Sequence, residues 1–179
     1  MKLLRTIRLD PSDTFVFEHA ADPGEWAVSG AFMFADADPD ALAGKSRAAF
    51  RGGFLGVASL GWSTLVQIVE ATQEDRDRLV DTLGRQLHER LSAPDLAAAR
   101  AAAEEEVAFA ASLCDHPRDT LVAVRRTFED GAIREAFRTL HPRGTRKPMH
   151  AFSFLEVESE EEPREDVNLL ALAKGKRSD

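Results

Sequence analysis

Residues 2–9 (KLLRTIRL) and 14–18 (TFVFE) carry short apolar, β-branched patterns that predict two strands. The turn between them is Asp10-Pro11-Ser12-Asp13, whose proline and flanking aspartates suit it. A third strand is predicted over 26–34, with Trp26, Val28, Phe32 and Phe34 on one face and Ser29 and Met33 on the other. Asp38 and Pro39 read as the N-cap and first residue of a short helix that stops at Gly52-Gly53. Residues 62–70 (WSTLVQIVE) are apolar on both faces, as in a central strand. Thr72 and Asp75 have capping-box spacing, and Leu79, Leu83, Leu87 and Leu91 then recur every four residues as the core stripe of a helix. Pro94 and Asp95 open a second, alanine-rich helix ending near Cys114, with Pro117 as a stop. The short link between the two helices predicts an antiparallel hairpin.

The clearest local signal is Asp130-Gly131, a two-residue type I′ turn signature at the centre of 121–140. That turn fixes a register in which Phe128 faces Ile133, Arg126 faces Glu135 and Val124 faces Phe137, and it places Arg125, Arg134 and Arg138 on the opposite face. A last strand is predicted over 150–157, then a short helix over 167–173 and a frayed end. Runs of strands and runs of helices predict an α+β fold. The expectation is a mostly antiparallel sheet of about six to seven strands with a helical hairpin packed on one face. Residues 1–157 form one domain, and 158–179 an acidic segment with a short C-terminal helix.

The composition of the 179 residues, 44% hydrophobic with a single cysteine, is enough for a core without disulfides and points to a reducing cytoplasm. No apolar run is long enough to span a membrane, and Arg5 and Arg8 interrupt the signal-peptide-like opening Met1-Lys2-Leu3-Leu4 before any apolar region forms. Net charge is −8, but residues 158–166 (ESEEEPRED) hold six acids and one arginine, so the remaining chain is near neutral. Such a run stays solvated, as a connector or as a docking segment for a basic partner. The acidic balance disfavours nucleic acid as a partner.

Most candidate motifs fail on inspection. Gly44-Lys45-Ser46 ends like a phosphate loop, but Pro39 stands where the first glycine belongs. Asp36, Asp38 and Asp40 mimic the opening of a calcium loop, with Ala41 and Arg47 at the turn and closing positions. Gly52, Gly53, Gly56 and Gly61 allow close backbone approach, either to the chain's own sheet or to a ligand. Cys114 and His116 are candidate metal ligands, with His88, His141 or His150 as further donors, but a helix C-terminus is the wrong end to activate a thiol. Glu104, Glu105 and Glu106 diverge around their helix, the outer two toward solvent. Between 118 and 147 there are eight bases and four acids. In that patch Arg125, Arg134, Arg138 and Arg143 are the candidate ligand-binding residues, because planar guanidinium groups match carboxylates and phosphates.

The stretches MKLLRTIRLD, GWSTLVQIVEA, SLCDHP, DGAIREAFRTL and AFSFLEVE resemble an uncharacterised family of proteobacterial proteins with no assigned activity. The resemblance carries over no catalytic residue. It implies a helper, among accessory functions for molybdenum- or lipoate-dependent enzymes. Taken together, the residues predict a non-catalytic accessory or interaction protein with a protein partner or a second copy, and no cofactor. The alternatives are a binding module for a small anionic or acyl ligand on the arginine face, and a metal-dependent enzyme using Cys114 and His116.

Overall fold

A computed structural model of the chain describes residues 1–142 and 155–157. Its strands are β1 (Lys2–Ile7), β2 (Trp26–Val28), β3 (Phe54–Gly56), β4 (Trp62–Ser63), β5 (Leu65–Glu70), β6 (Leu121–Glu129), β7 (Ala132–Pro142) and β8 (Leu155–Val157). The helices are α1 (Ser12–Val16), α2 (Gly44–Gly52), α3 (Gln73–Arg90) and α4 (Leu96–Ser112). The strands form one sheet in the order β4-β3-β2-β1-β5-β6-β7-β8, with every neighbouring pair antiparallel. The fold is therefore α+β as expected, with eight strands: β3 forms where no strand is expected, the single strand expected over 62–70 is broken at Thr64 into β4 and β5, and the strand expected over 14–18 is absent.

Only Thr64 lies between β4 and β5, yet β4 pairs with β3 and β5 pairs with β1. Two residue steps reach about 7 Å at most. The sheet must therefore curl until its β4 edge meets β5, so that β1, β2, β3 and the bent β4–β5 ribbon wrap around a shared interior. The bend is tied down by Asp13, whose buried carboxylate accepts hydrogen bonds from the Thr64 amide (3.2 Å) and hydroxyl (2.5 Å). Leu3 and Leu4 are successive, so they project to opposite faces of β1, and both are fully buried. Curling and helix packing together cover both sides of the central strand.

Local signals place α3 and α4 well. The Thr72 capping box is present in both directions, and Leu79, Leu83 and Leu87 are buried, while Leu91 is exposed just past the helix end. Asp95 caps α4, whose buried face is Ala99, Ala103, Val107 and Ala110. The two helices run antiparallel, with Arg100 of α4 paired to Asp81 of α3 at 2.5 Å. Alanines allow the close approach, and α4 in turn lies against β1 and β2.

Three expectations are corrected. Residues 14–18 are not a strand: α1 occupies Ser12–Val16, started by the Asp10 carboxylate accepting from the Ser12 amide and held by Asp13. Here β-propensity lost to a tertiary hydrogen bond. The third strand ends at Val28, because Gly30 takes φ 81° and turns the chain into a 3-10 turn over Ala31–Phe34. The helix expected from Asp38 begins only at Gly44, and the Asp38 carboxylate bonds the Asp40 amide in a turn instead. The acidic run at 158–166, the helix at 167–173 and Arg143 lie outside the described residues. No helix among the described residues is long and apolar enough to cross a membrane.

Candidate functional site: the two faces of the β6–β7 hairpin

The hairpin forms in the expected register. Asp130 and Gly131 take φ 54° and 76°, and Phe128, Arg126 and Val124 stand opposite Ile133, Glu135 and Phe137. Strand alternation then separates two surfaces with different chemistry.

The inner face is dominated by Arg126, which is 1% exposed. Its Nε donates to Glu135 Oε1 at 2.7 Å, and one terminal nitrogen donates to the Phe50 and Gly53 carbonyls at 3.1 and 2.7 Å. The other terminal nitrogen donates to the Ser29 carbonyl and to Ser29 Oγ. All five guanidinium donors are thus used. Phe50 and Gly53 sit at the C-terminal end of α2, where carbonyls lack intrahelical partners, so Arg126 both caps a helix and neutralises the negative end of its dipole. Glu135 also accepts from the Ser29 hydroxyl. Below this cluster, Phe137 packs on Phe54 and on Phe109 of α4. Burial holds the Arg126 pKa below its usual value, opposed by the charges of Glu135 and Glu106, and the group remains cationic.

Glu106 corrects an expectation. It does not face solvent: it projects from α4 toward Arg126 and Glu135, and its Oε2 is sealed from solvent with no hydrogen-bond partner. The spacing signals this, since Glu106 is three residues beyond Ala103 and four before Ala110, both fully buried. Burial pushes the Glu106 carboxyl up to about 7, and the Glu135 charge adds to the effect while Arg126 opposes it. The native state therefore holds a proton that the unfolded chain releases near pH 4.5. Glu106 contributes stability below that pH and loses it as the pH rises toward 7. Glu106→Gln is expected to be more stable than the wild type at pH 8 by on the order of 1–2 kcal/mol, and nearly equal to it at pH 5. Thermal melts at the two pH values check this, and identical pH profiles for both proteins would refute it.

The outer face carries Arg125, Arg134 and Arg138, all exposed, with exposed Ala136 among them. Arg134 reaches back to Glu129 at 3.5 Å and Asp130 at 3.4 Å, in pairs more than half open to solvent. Arg125, Arg134 and Arg138 line neither the cleft beside Arg5 and Trp26 nor the one beside Arg51 and Arg126.

The other candidates do not assemble into a site. Cys114 is 3% exposed, its thiol donates to the Ala110 carbonyl at 3.4 Å, and burial raises its pKa to about 11. His116 is exposed, with its ring 6.1 Å from that of His141, and its backbone carbonyl accepts from Lys2. His88 bonds the Ala93 carbonyl, and no group of three metal-ligating residues occurs among those described. The glycine-rich segment approaches the chain's own backbone and side chains: Gly61 faces Ala20 and Ala21, Gly56 faces Glu25, and Gly53 faces Trp62. Glu25, which the sequence patterns gave no reason to single out, fastens this region. Its carboxylate accepts from the amides of Asp22, Ala58 and Ser59 and from the Ser59 hydroxyl.

These features define an α+β protein with a curled antiparallel sheet, a helical hairpin, and an arginine–carboxylate cluster buried beneath an arginine-bearing sheet face. The chain belongs to DUF6505, a family of unknown function, whose sequence model matches residues 1–155. No curated protein and no solved structure matched the chain.

Proposed function

We propose that this chain is a non-catalytic accessory protein that docks an acidic surface of a partner protein against the outer face of β6–β7. The observation that carries the reading is the display of Arg125, Arg134 and Arg138 as exposed residues on one sheet face. Arginine is enriched in protein interfaces, and its planar fork matches carboxylates. Small-molecule sites are concave, and none of the three arginines lines the clefts beside Arg5 or Arg126, which favours a macromolecular partner over the small anion considered as an alternative. Arg134 can exchange Glu129 and Asp130 for a partner's acids at little cost, because such exposed pairs contribute at most about 1 kcal/mol. The buried Arg126 anchor keeps the face rigid, which limits the ordering cost of docking. A helper role is also what the resemblance to an uncharacterised family with no assigned activity implies.

The test compares affinity purification from the native source with the wild type and with Arg125→Ser/Arg134→Ser/Arg138→Ser at equal melting temperature. At low salt, recovery of an acidic protein is expected to fall at least about tenfold with the variant, and to fall with added salt for the wild type. The same proteins in the same amounts from both baits would reject the proposal.

A further inference from the structure

A second surface, remote in character from the arginine face, lies between β1, β2 and α3. It is a cleft of about 270 Å³, room for roughly nine waters. Its walls include Arg5, Trp26, Val57, Leu79, Arg78 and Thr82. Arg5 and Trp26 are direct partners in the β1–β2 ladder, and the Arg5 guanidinium carbon sits 4.1 Å from the indole centroid. The cation is thus held against an aromatic plane at the edge of an apolar floor.

Arg5 differs from Arg126 in one respect that matters. Arg126 has an acceptor for every donor, whereas the Arg5 guanidinium has no hydrogen bond or ion pair among the described residues, and its Nε is shielded from solvent without a partner. The nearest carboxylate in the cleft wall, Asp75, is committed to the Thr72 amide and hydroxyl in the capping box and also lies near Arg78. A half-buried guanidinium whose Nε has no acceptor leaves a costly donor unmet, and an anion entering the cleft would give the guanidinium the acceptor it lacks.

We propose that this cleft binds a small monocarboxylate with a flat or apolar body. The carboxylate bonds Arg5, the body rests on Val57, Leu79 and the free part of the Trp26 ring, and the Thr82 hydroxyl and Arg78 close the rim. Asp75 in the wall sets the charge preference. It offsets one of the two arginines, so a monoanion is accommodated better than a phosphate dianion. The site is independent of the β6–β7 face and stands or falls separately from it.

Benzoate is the probe, with neutral benzamide and inorganic phosphate as controls. Tryptophan emission and melting temperature are followed on the full chain. Saturable binding of benzoate is expected with a Kd of about 1 mM or tighter, with no comparable response to either control. Arg5→Gln is expected to weaken benzoate binding at least about tenfold, and Arg5→Lys less. Thr82→Phe fills the cleft from α3 while leaving Arg5 in place, so it is expected to block binding even if the Arg5 variants fold poorly. No saturable response to benzoate, an equal response to benzamide, or unchanged affinity in Thr82→Phe would overturn the proposal.

Discussion

Arg126→Met is expected to lower the unfolding free energy by about 3–5 kcal/mol, the cost of breaking a buried ion pair from one side. The substitution conserves much of the aliphatic volume, so the loss is electrostatic. It strands the Glu135 carboxylate, 15% exposed, with only the Ser29 hydroxyl as donor among the described residues, and it leaves the carbonyls of Ser29, Phe50 and Gly53 without their guanidinium partner. A typical domain has only about 5–15 kcal/mol in total, so the variant should be close to unfolding. Arg126→Lys is expected to recover little, because a single ammonium cannot reach Glu135, the end of α2 and Ser29 together. The double variant Arg126→Met/Glu135→Leu should recover part of the loss by removing the stranded charge. Urea unfolding read as the shift in midpoint decides the matter. A loss below about 1 kcal/mol for Arg126→Met would mean the cluster is not the anchor described here.

The second large effect is expected at Gly61. A Cβ there would lie 2.6 Å from the Ala20 carbonyl carbon and the Ala21 amide nitrogen, and 2.7 Å from the Ala20 oxygen. These are backbone atoms and cannot rotate aside. Relief requires moving residues 19–21, which breaks the Ala21 amide bond to the Trp62 carbonyl and the Trp62 amide bond to the His19 carbonyl, both 2.9 Å. Gly61→Ala should therefore cost about 3 kcal/mol. Gly52→Ala is the control: its Cβ would meet only the Val124 carbonyl at 3.7 Å, an ordinary contact. At the end of α2 it should change stability by less than about 1 kcal/mol in either direction. Equal melting temperatures for the two variants would contradict the close-approach account.

Both effects sit at features whose visibility in the sequence differed. The Arg126–Glu135 pairing follows from the Asp130-Gly131 turn, since a two-residue turn and period-two alternation are enough to set a register. That Arg126 would also hold Ser29, Phe50 and Gly53 is not legible, because those partners lie 73 to 97 residues away. The glycine cluster was visible, but whether it embraced a ligand or the chain itself depended on the path of residues 19–21. Residues 14–18 misled through their strand-like Thr-Phe-Val-Phe composition, which a single carboxylate, Asp13, overrides by bonding Thr64 some 51 residues on. Glu106 was hidden in a run of three glutamates, although its spacing from Ala103 and Ala110 placed it on the buried side. Arg5 and Trp26 carried no motif at all, and only the β1–β2 register brings one over the other.

Short-range order was therefore written in the residues themselves: the capping box of α3, the Asp95 cap of α4, the leucine stripe and the turn of the β6–β7 hairpin are all decided within about four positions along the chain. What a charged group finally touches was not. Arg126 saturated and Arg5 unmet both lie in strands among apolar neighbours, and they part company only once the sheet curls and α2 and α3 settle against it. A charge responds to the solvent it loses and the acceptors it gains, and both are set by segments distant along the chain.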